Sequence, residues 1–107
     1  MPPCPETPNC ARESASFPVA PDTLRARARA ALEAMGPGSI EVTDEGAFHA
    51  VFRVVIFLDD VHVAVAPDSA GSTLTIRSAS RVGHSDLGVN ARRVRRFWSI
   101  LKASESK

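Results

Sequence analysis

The stretch from residue 48 to residue 80 constrains the fold most. Phe48 to Phe57 is dense in Val, Phe and Ile, the side chains that suit a pleated, half-buried surface. Val61, Val63 and Val65 then alternate with His62, Ala64 and Ala66, a period of two. A polar loop from Pro67 to Ser72 leads into Thr73 to Ser80, with Leu74 and Ile76 facing one side. Short connections between such segments predict an antiparallel meander. Ile40 to Thr43 adds a short edge strand, for four strands in all. Asp59-Asp60 has the chemistry of a tight turn, which would set Phe57 opposite His62 and Ile56 opposite Val63. Placing Val65 opposite Leu74 then sets His62 opposite Arg77. In this register one face carries His49, Arg53, His62 and Arg77 among Val51, Val55 and Ala64, and the other is apolar.

Two amphipathic helices flank the strands. Pro21 and Asp22 read as the start of the first, with Asp22 as N-cap. Leu24, Ala28, Ala31, Leu32 and Met35 form its apolar face, and Gly36-Pro37-Gly38 ends it. The second is expected after Asn90, again a capping residue, with Val94, Phe97, Trp98 and Leu101 at i, i+3, i+4, i+7. The expected architecture is α+β: a four-stranded antiparallel meander with both helices on one face. Residues 1–20 hold Pro2, Pro3, Pro5, Pro8 and Pro18 and read as an extended arm. Residues 21–107 read as one domain.

Composition narrows the function classes. With 107 residues, 44% hydrophobic and 23% charged, the chain fits one small globular domain. A net charge of +1 predicts no strong attraction to nucleic acid or membranes. No apolar run reaches the ~18 residues of a transmembrane helix, so no membrane insertion is expected. Met1 to Pro5 lacks the charged and apolar parts of a secretory signal. A cytoplasmic protein is expected from the chain as written; one trimmed of an export signal would read the same.

The run from Arg77 to Asn90 is the densest in chemistry. It sets two Arg, three Ser, a His, an Asp and an Asn between a strand and a helix. Arg77 and Arg81 can present forked donors to a carboxylate or phosphate. Ser78, Ser80, Ser85, Asp86 and Asn90 could complete a polar pocket, with Asn9 folded nearby. The same residues could equally satisfy one another and hold a long connection in place. Cys4 and Cys10 are separated by five intervening residues, outside the two to four of common zinc clips, so no metal site is expected. They read as a disulfide or a thiol pair. Asp59 and Asp60 could serve as a base with a partner, but turn chemistry accounts for them. Arg92, Arg93, Arg95 and Arg96 read as a solvated helix face.

The residues also resemble a known family. Cys4 to Cys10, Cys-Pro-Glu-Thr-Pro-Asn-Cys, is similar to the Cys-Pro-x-Ser-Pro-Asn-Cys signature of domain of unknown function 1499. Asp59-Asp60-Val61 and the run from Arg77 to Asn90 resemble its other two signatures, in the same order. His84 stands where the family usually has Tyr, Ala91 replaces a basic residue, and Ala-Arg-Glu follows Cys10. The resemblance implies no reaction, substrate or cofactor.

These readings point to a non-enzymatic binding or accessory domain whose polar pocket accepts a small anionic ligand, with no cofactor. Two alternatives come from other classes. In one, His84 or Asp86 is the general base of a small enzyme. In the other, the open sheet face joins two copies into a homodimer.

Overall fold

The computed structural model describes residues 1–5, 9–43, 46–82 and 88–105. Its elements, in chain order, are β1 (Cys10–Phe17), α1 (Pro21–Ala34), β2 (Ser39–Val42), β3 (Phe48–Val54), β4 (Phe57–Asp68), β5 (Gly71–Ser80) and α2 (Val89–Glu105). The class is α+β, with one antiparallel sheet and two helices. The sheet has five strands, however, in the order β1-β5-β4-β3-β2. The meander runs from β2 to β5, and β1 is laid along the far side of β5.

The extra strand comes from residues read as an arm. Prolines punctuate the N-terminal region but leave residues 9–17 free of them. In that gap Ala11, Glu13, Ala15 and Phe17 alternate with Arg12, Ser14 and Ser16. Pairing sets Glu13 opposite Ile76 and Phe17 opposite Ser72, so the first set faces the helices. Trp98 Nε1–H donates to the Glu13 carboxylate at 2.9 Å, and Phe17 stacks near the Trp98 ring. The small outward residues give the edge strand a hydroxyl ladder, with Ser14 Oγ 2.8 Å from Thr75 Oγ1.

The β3–β4 hairpin turns at Val55-Ile56, not at Asp59-Asp60, because Val54 pairs with Phe57. Asp59 lies in phase with Val61, Val63 and Val65 inside β4 and is buried with them. Relative to the expected register, the partner of His62 moves from Phe57 to His49. That slide is even in residues, so every side chain keeps its face. His49, Arg53, His62 and Arg77 therefore do share the open face. The next hairpin has the expected register, with Val65 opposite Leu74 and His62 opposite Arg77.

Both helices cover the other face. α1 packs on β4 and β5, α2 packs on β5 and β1, and the two helices touch. The core between the layers is built from Leu24, Leu32, Val61, Val63, Leu74, Ile76, Val94, Phe97 and Leu101, all at 0% exposure. Two capping expectations change. Ala20 occupies the N-cap of α1, with Pro21 at its start, and Asp22 lies in the first turn bound to Arg25 at 2.7 Å. Asn90 lies within α2, and its side chain turns into the protein. No helix among the described residues is long and apolar enough to cross a membrane.

Candidate functional site

The strand ends near the start of α2 hold a buried polar network. Asp59 on β4, and Ser78 and Ser80 on β5, point to the helix side because they continue the inward phase of Val61 and Ile76. α2 brings Asn90 and Arg93 over them. Arg93 Nη1 forms an ion pair with the Asp59 carboxylate at 2.8 Å, with the side chains only 9% and 3% exposed. The same guanidinium lies 4.8 Å above the Phe52 ring and reaches Asn90 Oδ1 at 2.9 Å. Ser78 Oγ donates to Asn90 Oδ1 at 2.5 Å. Asn90 Nδ2 donates to Ser80 Oγ at 2.9 Å and to the Asn9 carbonyl at 3.0 Å. Ser80 N–H also donates to Asn9 O. Thus the three segments that carry the family resemblance meet at one point. Cys4 and Cys10 are joined in a disulfide beside it, with Cα atoms 5.7 Å apart.

A second cluster sits on the open face. Arg81 grips Asp60 with two bonds of 2.9 Å, and His49 Nε2 donates to the same carboxylate at 2.7 Å. The Arg81 hydrogen bonds hold the Asp60 pKa down at about 2 against the opposing effect of partial burial, with His49 helping. The same pairing raises the Arg81 pKa. His49 stacks on His62 with ring centres 4.6 Å apart.

Next to His62 the open face forms a cavity of about 220 Å³, lined among others by Met1, Pro2, Phe48, His62, Ala64 and Arg77. Burial, and then the neighbouring His49, push the His62 pKa below its ordinary value, so the ring is neutral near pH 7. The Arg77 side chain makes no hydrogen bond or ion pair with a described residue, and its buried Nε has no partner among them. A buried donor without a partner is unusual in a folded protein.

The expected pocket residues are therefore divided between the two faces of the sheet. Ser78, Ser80, Asn90 and Asn9 join the buried network, Arg81 is taken by Asp60, and Arg77 faces the cavity. His84, Ser85 and Asp86 lie outside the described residues. Sequence reasoning missed Asp59 and Arg93. The signals were present: Asp59 keeps the parity of the β4 valines, and Arg93 lies four residues before Phe97, on the buried side of α2. No group of three or more His, Cys, Asp or Glu able to hold a metal occurs among the described residues.

A family model described as "Protein of unknown function (DUF1499)" matches residues 1–101. Among solved structures, the chain is similar to the crystal structure of protein CV1439 from Chromobacterium violaceum, with a TM-score of 0.54 and 13% identity over 89% of this chain and 94% of that one. At that identity the likeness is one of fold. No curated protein matches.

Proposed function

We propose that this chain, which belongs to the DUF1499 family of proteins of unknown function, is a non-enzymatic binding domain that takes a small anion in the open-face cavity beside Arg77 and His62. The observation that carries this reading is the state of Arg77. Every other arginine singled out for the polar pocket or found beside it already has an acid: Arg81 has Asp60, and Arg93 has Asp59. Arg77 has none among the described residues, yet it lines a cavity. A guanidinium presents a planar fork suited to a carboxylate or phosphate. Neutral His62 can add a hydrogen bond, and Met1, Pro2 and Ala64 offer an apolar wall for the body of the ligand. A concave, mainly apolar site with a few convergent polar groups is the usual form of a small-molecule pocket.

The buried network fits a different role. Among the described residues its donors and acceptors satisfy one another, so it locks the N-terminal strand, β5 and α2 together and leaves no buried side-chain group there vacant for a ligand. The test is a thermal-shift and calorimetric screen of small carboxylates and phosphates with and without apolar groups. The expected result is a rise in Tm with at least one of them in the parent protein, and none in Arg77→Ala at preserved fold. Equal binding by Arg77→Ala, or no shift with any anion at millimolar concentration, would overturn the assignment.

A further inference from the structure

The tip of the β3–β4 hairpin exposes three consecutive large apolar residues: Val55 at 80%, Ile56 at 75% and Phe57 at 51%. Val82, at 57%, belongs to the same patch. Arg81 N–H bonds Leu58 O, one residue pair beyond Asp59 and Ser80, and Val82 follows Arg81 at that end of the sheet. Four of the six exposed large apolar residues among the described residues thus gather at one end of the sheet. The two-residue turn that presents them is not relaxed. Val55 has φ 59, a left-handed conformation that is a genuine outlier for a β-branched residue. Strain held at an exposed apolar tip directs attention to what the tip does.

We infer that this tip docks on an anionic lipid surface, its apolar side chains entering the headgroup boundary without crossing the bilayer. Two arguments favour a membrane over a protein partner. The first is size. A stable protein interface needs roughly 20–30 residues on each side. Four side chains on a convex tip fall far short of that, but a few apolar groups backed by cations suffice for interfacial binding. The second is charge. Asp59 and Asp60, the acids flanking the tip on β4, are already neutralised by Arg93 and Arg81. Arg53, two residues before Val55, is exposed, donates Nε–H to the Val55 carbonyl at 2.8 Å and has no acidic partner among the described residues. Arg96, also exposed and likewise without an acidic partner there, lines a groove beside Phe52 on the same hairpin. The net charge of +1 averages over this local excess. Anionic leaflets attract such basic groups over a Debye length or so.

The experiment is flotation of the full chain with vesicles of phosphatidylcholine alone or with phosphatidylglycerol. Binding is expected only to the phosphatidylglycerol vesicles, weakened by added salt. Ile56→Asp should lower the bound fraction at least tenfold with Tm within a few degrees of the parent, since Ile56 contacts mainly solvent. Arg53→Glu with Arg96→Glu should lower it by a similar factor. The inference is overturned if the parent does not float with phosphatidylglycerol vesicles, or if Ile56→Asp floats as the parent does. It is equally overturned if sedimentation shows a dimer that Ile56→Asp dissociates, because the patch would then be a contact between copies.

Discussion

Arg93 and Asp59 form a buried ion pair 2.8 Å apart at the junction of α2 and the sheet. Removing one partner leaves the other charge buried and alone, which typically costs about 3–5 kcal/mol. Asp59→Ala and Arg93→Ala should each lower the unfolding free energy obtained from urea denaturation by that much, close to the whole stability of a small domain. Replacing both with apolar residues of similar size, Asp59→Leu with Arg93→Met, should cost far less than either single change. If the double variant is as unstable as the singles, the pair is not the dominant interaction at this junction.

Asn90 is the hub that ties Ser78, Ser80 and Asn9 to Arg93. Asn90→Ala would leave several buried donors and acceptors unpaired, at roughly 1–3 kcal/mol for each group left unsatisfied. A loss of about 2–4 kcal/mol is expected in equilibrium unfolding. Asn90→Asp is nearly isosteric but replaces the donating amide with an acceptor that faces Asn9 O and Ser80 Oγ. It should therefore be no better tolerated than Asn90→Ala. Milder behaviour of Asn90→Asp would mean that the amide orientation described for the hub is wrong.

Much of this architecture was legible in the residues. Period-two alternation placed Ser78 and Ser80 with Ile76 on the inner face and Arg77 on the outer one, and the strands kept those sides. Parity is robust because an even slide of register preserves it, which is why His49, His62 and Arg77 were correctly grouped despite a misplaced turn. Two things were not legible. Asp59-Asp60 has turn chemistry by composition, and only the distant Arg93 makes a buried Asp59 acceptable. β1 is amphipathic but weak, and its place in the sheet depends on Glu13 meeting Trp98, a pairing that no local pattern encodes.

Asp60 and His62 both predict a loss of stability on acidification, in two separate pH windows. The folded Asp60 pKa is lowered to about 2, so the folded state holds its carboxylate ionised more firmly than the unfolded chain does. Its contribution is complete above the ordinary value of 3.8 and is lost as pH falls toward 2. In Asp60→Asn that acid-limb loss should be shallower. The His62 pKa is also lowered, but here the folded state favours the neutral ring. Stability should therefore fall as pH drops below the ordinary histidine value of 6.5, until folded His62 itself takes up a proton. Imidazole NMR titration should find the His62 midpoint below that of an unfolded reference. A midpoint at or above the reference would contradict the burial described for the ring.

Val55 tests whether the hairpin tip carries strain for a purpose. With φ 59 at a β-branched residue, Val55→Asn supplies a side chain that tolerates the left-handed region and keeps the backbone carbonyl that accepts the Arg53 bond. A gain of about 1 kcal/mol is expected, a rise in Tm of roughly 4–8 °C for a domain of this size. Val55→Gly relieves the same strain but adds freedom to the unfolded chain, so its gain should be smaller. Since Val55 is 80% exposed, its loss opens no cavity that could offset the effect. The Asn variant also removes one of the apolar groups at the tip, so increased stability should accompany weaker flotation with anionic vesicles. A Val55→Asn protein that is less stable than the parent would mean that valine is at ease in this turn, and strain would no longer support a functional reading of the tip.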